Sequence, residues 1–215
     1  MAVSKCADSI PLHRQARLLI GTGIPTYTST LCDIFHRDAS LLNPIAKRIL
    51  QKIKESEYIN ANETRIGVQD GTTAYVWNFS TDKYVGHFFN QTRSEETPKA
   101  ILGDSIGFLQ VDQYSEYNQV TTLVKRNRVG CLAHMRRKLF EAKDVAPKDC
   151  KWMLEQIREL YIVEYDAAEA NVLRGEQHLA LRKGRSQSTV NDIKKWLEQN
   201  ENRWGPKNKM GRAVR

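Results

Sequence analysis

The feature that most constrains the fold is a run of period-two alternation between Tyr58 and Asn90. In the segment TAYVWNFS, from Thr73 to Ser80, large aromatic residues alternate with Ala74 and Val76. After a short turn at Thr81 and Asp82 the segment KYVGHFFN follows. Alternation at this spacing, interrupted by short polar turns, predicts three consecutive strands in an antiparallel meander.

The first of these strands carries a polar cluster in its middle. Tyr58, Ile59, Ile66 and Val68 favour a strand, but Asn60, Asn62, Glu63 and Thr64 stand between them. A polar cluster inside a strand costs free energy unless other groups satisfy it. The sequence therefore predicts that part of this cluster has a specific role.

The elements after the meander give the order β-β-β-α-β-(α)-β-α, which is the ribonuclease H-like order. A helix is predicted from about Ser94, with Glu95 and Glu96 in its first turn and a stop at Gly103. The segment GFLQVDQY predicts a fourth strand ending in Asp112, and RVGCLAH a fifth that leads into the basic helix MRRKLFEAK. In that fold the first and fourth strands bring two carboxylates together. An aspartate at a strand end is also common where it only begins a turn.

Helical patterns flank this core on both sides. Helices are predicted from Pro11, from about Ser29 and from Pro44, with GTGIP as a break. A helix-turn-helix and a plain helical hairpin both fit this segment. After Pro147 a helix capped by Asp149 carries one stripe that includes Glu164, and Ser188 caps another helix that runs to Asn200. The predicted organisation is a helical segment (1–56), a mixed-sheet core (57–146), a helical insertion (147–200) and a basic tail (201–215).

Charge favours an acidic partner. Lysine and arginine number 33 against 25 acids, which gives a net charge of +8 and a pI near 9.3. The segment from Lys125 to Lys138 has six basic residues and no acid. The predicted phosphate contacts are Lys125, Arg126, Arg128, Arg136 and Arg137, with His134 directed at DNA or at the acids of the active site. A solvated basic face is the alternative.

Several classes of protein do not fit the sequence. No apolar run approaches the ~18 residues of a membrane span, and the first residues have no apolar signal-peptide core. The four cysteines form no CxxC pair, so we expect a reduced, cytoplasmic protein. Cys131 and His134 form a CxxH, but a structural zinc needs four ligands and no second pair has matching spacing.

An ordered set of motifs along the chain resembles the central region of the insertion sequence 66 family of transposases, which belong to the DDE (Asp-Asp-Glu) class. The motifs are ADSIPLHRQ, GTGIP followed by STL, ANET, YVWNF, GFLQVDQYSEYN, GCLAHMRRKLFEA and ELYIVE. The resemblance implies a ribonuclease H-like fold and cleavage and joining of DNA strands. It also implies three acids that hold two Mg²⁺ or Mn²⁺ ions, the arrangement used for phosphoryl transfer.

The resemblance leaves the catalytic acids incomplete. Where the family has Asp-Glu-Thr this chain has Asn62-Glu63-Thr64, whereas Asp112 matches the second aspartate and is the expected metal ligand. The third acid of the family follows an Asp-Asn-Asn segment that the chain does not reach before Arg215. Glu164 has two interpretations, as a substitute ligand on a core-facing stripe or as the partner of Arg136 or Arg137.

Three hypotheses follow from these residues. The first is a transposase-type protein that is catalytically inactive in this copy. The second is a DNA-binding remnant that acts as an accessory or inhibitory subunit of a related transposase, and the third is a relic that does not fold stably. Expected partners are transposon ends, target DNA, and further copies of the chain or other transposase subunits.

Overall fold

The structure is a computed structural model that describes residues 1–112, 115–122, 124–200 and 202–214, without the side chain of Glu116. Contacts between residues divide the chain into two compact units. Unit 1 comprises residues 1–109 and 116–128, and unit 2 comprises residues 110–115 and 129–215. Gln113 and Tyr114, which belong to the predicted fourth strand and its motif, lie outside the described residues. The predicted division at residues 56, 146 and 200 stays a prediction.

One mixed sheet of five strands has the order β3-β2-β1-β4-β5. Its strands are β1 (Tyr58–Gly67), β2 (Thr73–Ser80), β3 (Val85–Asn90), β4 (Gly107–Val111) and β5 (Arg126–Gly130). The first three pair antiparallel in sequence order, which confirms the predicted meander. In the sheet, β1 lies between β2 and β4. The mixed α/β class is therefore as predicted, while the ribonuclease H-like assignment stays a prediction.

The register of β1 on β2 separates the polar cluster into two faces. Ala61 pairs with Phe79 and Glu63 with Trp77, and the two aromatic residues are fully buried. Asn62 pairs with Asn78, which in turn pairs with His87 of β3. Because successive side chains of a strand point to opposite faces, Glu63 faces the buried aromatics and Asn62 the other side.

The helices of unit 1 differ from prediction at Pro44. They are α1 (Ala2–Cys6), α2 (Leu12–Gly21), α3 (Thr28–Glu55) and α4 (Glu96–Leu102). The prediction of a new helix at Pro44 was wrong, because α3 continues through this residue. Proline removes one hydrogen-bond donor from a helix. Leu31 and Ile53 are buried near the two ends of α3 and stabilise the helix on both sides of the hydrogen bond that Pro44 lacks.

A single glycine of β4 is required by its surroundings. Gly107 has φ +125°, and a Cβ there would collide with the carbonyl oxygen of Glu57 and crowd Arg126. The neighbouring residue Phe108 donates its N–H to the same carbonyl oxygen at 2.7 Å. The backbones at Gly107 and Glu57 therefore lie closer together than any residue other than glycine allows.

Unit 2 is a helical assembly after β5. Its helices are α5 (Leu132–Glu141), α6 (Pro147–Glu169), α7 (Glu176–Leu181), α8 (Gln187–Asn200) and α9 (Lys209–Val214), with a π-helical turn over Arg182–Ser186. A shared core joins α5, α6, α8 and α9; its fully buried residues include Leu139, Met153, Ile157 and Met210.

Three boundaries in unit 2 correct the sequence predictions. Strand β5 ends at Gly130, so Leu132 to His134, predicted as strand, form the first turn of α5. Helix α6 begins at Pro147, so Asp149 lies in its first turn and is not its cap. Ser188 lies inside α8 and is not a cap, because the π-helical turn continues the preceding helix into α8.

Candidate functional site

Glu63 is the charged member of the polar cluster in β1. Its side chain is 3% exposed, and its carboxylate forms an ion pair with Arg93, whose side chain is 32% exposed. Nε of Arg93 donates to Oε1 at 3.2 Å and the hydroxyl of Tyr117 donates to Oε2 at 2.7 Å. Tyr117 is itself fully buried and packs edge-on against Trp77. Glu63 is thus neutralised inside unit 1.

Asn62 is exposed and its side chain makes a local contact. Its Oδ1 accepts the backbone N–H of Glu63 at 3.0 Å. The amide carries no charge, so it supplies none of the electrostatic attraction that a carboxylate offers to a divalent cation. The chain therefore has a neutral group at the position that matches the first aspartate of the family.

Asp112 lies in unit 2, directly after β4, and lines a cavity of about 200 Å³. Cys131, His134 and Lys138 line the same cavity, together with apolar residues of α8 and α9. Nδ1 of His134 is buried and has no hydrogen-bond partner among the described residues. The structure therefore brings Asp112, Cys131 and His134 together, although the sequence analysis treated them separately.

Lys138 is the residue of this cavity that the sequence analysis missed as a site residue. It lies four positions after His134 on α5, so the two side chains share one helix face. The prediction of a strand through His134 hid this relation, because strand residues four apart do not lie one turn apart. A predicted helix beginning at Leu132 would have placed Lys138 and His134 on the same helix face.

Glu164 does not lie on the core-facing stripe of α6. The buried stripe runs through Met153, Ile157, Leu160, Val163 and Ala167. At 3.6 residues per turn the stripe passes one position before Glu164, whose side chain is 37% exposed.

The partners of Glu164 come from the following helical segment. Both carboxylate oxygens accept from Arg182 at 2.7 Å, and Nε2 of His178 lies 3.1 Å from Oε2. This bidentate pairing lowers the pKa of Glu164 below its ordinary value. The predicted ion pair exists, but the prediction of Arg136 or Arg137 as partner was wrong.

Arg126 corrects the prediction of phosphate contacts. It is completely buried, and its guanidinium donates to Oγ of Ser105 and to four backbone carbonyls. The shortest of these carbonyl contacts are Lys54 at 2.9 Å and Ser56 at 3.0 Å. Burial lowers the pKa of Arg126. Because its donors are committed inside unit 1, Arg126 is unable to reach DNA.

The other predicted cations lie at the surface. Lys125 forms an ion pair with Asp104 at 3.0 Å, and Arg128 donates to Oδ1 of Asn118 at 2.6 Å. Arg136 and Arg137 are exposed on α5, and the guanidinium of Arg136 lies 4.8 Å from the centre of the Phe140 ring. These four remain candidates for phosphate contacts.

The described residues do not fit a two-metal site of the kind the resemblance implies. Among the residues that the structure describes, no group of three or more His, Cys, Asp or Glu side chains is placed to hold a metal ion. Glu63 and Glu164 are both bound by arginine. In the described part of the chain, Asp112 is the remaining member of the predicted ligand set.

The sheet order defines a mixed α/β protein. The cavity beside Asp112 and the cationic helix α5 place an acid and several cations around the start of that helix. The sequence profile described as "Transposase IS66 family" matches residues 1–215. The chain belongs to this family of DDE transposases, which generally depend on metal ions.

Proteins similar to this chain occur in Sinorhizobium fredii (strain NBRC 101917 / NGR234). "Uncharacterized protein y4qI" is 28% identical over 162 residues, which cover 66% of this chain and 30% of the relative. "Uncharacterized protein y4jD" is 27% identical, with 90% of this chain and 43% of the relative covered, and "Uncharacterized protein y4hP" is 28% identical, with 87% and 39% covered. The chain thus spans less than half the length of these relatives.

None of its described helices combines the length and apolar character of a membrane span.

Proposed function

We propose that this chain is a transposase-type protein of DNA transposition that binds DNA and does not cleave it. The observation that carries the proposal is the state of Asn62 and Glu63. The first is a neutral amide where the family has an aspartate, and the second is a carboxylate sequestered by Arg93 and Tyr117. Membership of the family supports the role in transposition.

The inactivity has an electrostatic cause. A two-metal site for phosphoryl transfer holds its ions largely through carboxylate charge, and Mg²⁺ dehydrates reluctantly and needs well-placed anionic oxygens. Asn62 removes one negative charge from such a site. Glu63 is unable to restore it, because its own carboxylate is buried on the opposite face of the strand and is bound by Arg93 and Tyr117.

Helix α5 supports the DNA-binding part of the proposal. Arg136 and Arg137 are exposed on this helix, while the acids Glu63 and Glu164 are neutralised elsewhere by Arg93 and Arg182. Exposed arginines on a helix contact phosphates with sequence-independent, salt-dependent affinity. Binding of this kind needs no metal ion.

A nicking assay on a labelled transposon-end duplex tests the proposal. We expect no strand cleavage or joining in Mg²⁺ or Mn²⁺, with a longer, active family member as positive control. Asn62→Asp alone is not expected to produce activity, because the described residues supply no group of three metal-binding side chains. The same substitution in a chain extended by the C-terminal segment of the active relative, compared with that extended chain carrying Asn62, tests whether the charge at this position is required.

The decisive contrary result is metal-dependent nicking by the unaltered chain that Asp112→Ala abolishes. That outcome would mean that a carboxylate other than those considered completes the site.

A second candidate function is that of an accessory or inhibitory subunit. The same combination favours it, namely an uncharged Asn62 with exposed arginines retained on α5. Addition of this chain to a reaction of an active relative distinguishes the two, because an inhibitor lowers the yield of cleaved ends in proportion to the occupancy of DNA. A chain that binds the ends and leaves that yield unchanged is not an inhibitor.

A further inference from the structure

Two helices of unit 2 form a groove of which the proposed function uses only Arg136. Helices α5 and α6 are joined by residues 142–146 and pack against each other through Leu139, Met153 and Ile157. Above this core lies an open groove of about 850 Å³. Each helix contributes one wall of the groove. Ala133, Arg136 and Phe140 come from α5, and Lys151, Leu154, Arg158 and Tyr161 come from α6.

The groove has an apolar floor and a cationic rim. Leu154, Pro147 and the rings of Phe140 and Tyr161 form the apolar part, and Phe140 and Tyr161 are each 44% exposed. Four cations stand around it, namely Arg136, Lys143, Lys151 and Arg158, against the single acid Glu155. None of the four forms an ion pair with an acidic residue in the described part of the chain.

We propose that this groove binds an acidic amphipathic helix of a partner protein. The groove is roughly 11–15 Å long, since the walls run over residues 133–140 and 151–161 at about 1.5 Å per residue. That length suits about three turns of a third helix lying over the helical hairpin, which completes a bundle-like packing. Leucine-type residues of the partner contact Leu154 and Phe140, and glutamates or aspartates on its flanks pair with the rim cations.

The aromatic residues of the groove favour a helix over a nucleic acid. Sites for single strands stack successive bases on open aromatic faces. The Phe140 ring, however, already carries Arg136 and Lys143, with Cζ and Nζ at 4.8 and 3.9 Å from its centre. Of the two aromatics that line the groove, only Tyr161 has no ring or cation stacked on it among the described residues.

The test uses fluorescence anisotropy with the full chain and three labelled probes. The first is a helical peptide of about 20 residues with leucines along one face and glutamates on both flanks. The second has each leucine replaced by asparagine at the same charge, and the third is a single DNA strand of about 20 nucleotides. We expect the leucine peptide to bind at least about tenfold more tightly than either other probe.

Matched charge reversals locate the binding. The double variant Lys151→Glu/Arg158→Glu should weaken binding of the leucine peptide at least about tenfold. Lys194→Glu/Lys195→Glu makes the same change in net charge on exposed residues of α8 and should leave it unaltered. All four residues are exposed, and circular dichroism establishes that both variants are folded.

Three results would overturn the proposal. The first is equal binding of the leucine and asparagine peptides, which would reduce the groove to a nonspecific cationic surface. The second is tighter binding of the DNA strand that is lost in Lys151→Glu/Arg158→Glu, which would make the groove a nucleic-acid site. The third is the absence of peptide binding at low salt.

Discussion

At the scale of single residues, two neighbours in β1 have opposite environments. Glu63 faces the buried side of the sheet and is held by Arg93 and Tyr117, whereas Asn62 is exposed and contacts the backbone next to it. The strand period of two places them on opposite faces. An acid one position away from an asparagine is therefore no substitute for the lost aspartate.

The ion pair of Glu63 and Arg93 gives the first stability prediction. Glu63→Gln removes a buried negative charge that accepts hydrogen bonds from Arg93 and Tyr117, so we expect a loss of about 3 kcal/mol in the free energy of unfolding. Denaturant unfolding measures it. The control is Glu96→Gln, because the Glu96–Lys99 pair is exposed and 3.8 Å long and should cost no more than about 0.5 kcal/mol. Equal effects of the two substitutions would contradict the structural role of Glu63.

At the scale of secondary-structure elements, α3 and the π-helical turn both depart from regular local structure. Helix α3 contains Pro44 in its interior. The π-helical turn carries Arg182 and Arg185, which pair with Glu164 and Asp166 of α6 at 2.7 and 2.5 Å. In both elements, contacts with residues outside the element stabilise a backbone conformation that the local sequence disfavours.

Pro44 makes α3 less stable than its sequence otherwise allows. Pro44→Ala restores a backbone donor in the helix interior, so we expect the free energy of unfolding to rise by about 1–3 kcal/mol. Pro147→Ala is the matched control, because Pro147 occupies the first position of α6, where its missing donor costs little. A destabilised Pro44→Ala variant would show instead that the proline ring makes contacts that outweigh the lost hydrogen bond.

The Glu164–Arg182 pair predicts a pH dependence. The pKa of Glu164 is lowered in the folded chain, mainly by the hydrogen bonds from Arg182, relative to an ordinary value of 4.5. The carboxylate therefore adds stability above pH 4.5, and this contribution is lost as the pH falls through the lowered pKa. The effect is small because the pair is partly exposed.

Unfolding curves at several pH values check this prediction. The difference in free energy of unfolding between the unaltered chain and Glu164→Gln should be constant well above pH 4.5 and should shrink in more acidic solution. Glu159→Gln, an exposed acid of the same helix that makes no ion pair with a described residue, is the control. A difference that stays constant down to strongly acidic pH would show that the Arg182 pairing contributes nothing.

At the scale of the whole molecule, the positive charge is divided between structural and surface roles. Arg126, Arg93 and Arg182 are committed to contacts within their own units, whereas Arg136 and Arg137 stand exposed on α5. The total of 33 lysine and arginine residues thus overstates the number of cations available to DNA. The exposed arginines of α5 are the part that we expect to contact phosphates.

Salt dependence measures that contribution. The double variant Arg136→Gln/Arg137→Gln should lower the slope of log affinity against log salt for duplex DNA by about 2, since each arginine removed leaves one phosphate without its neutralising cation. Lys99→Gln, which removes one exposed charge from α4, should leave the slope unaltered. An unchanged slope in the α5 variant would exclude this helix from the DNA interface.

The sequence by itself determined the order of the five strands along the chain, the antiparallel meander of the first three and the membership of the family. Alternation and turn residues are local properties, so Thr73–Ser80 and the stop of α4 at Gly103 are visible without a structure. Only the tertiary structure decided which charged residues are available for function. The partners of Glu63 lie 30 and 54 positions away, and the carbonyls bound by Arg126 at up to 3.0 Å lie 70 and 72 positions away. No local pattern encodes such pairings, because the folded sheet brings these residues together and the low polarity of its interior forces buried charges to find partners.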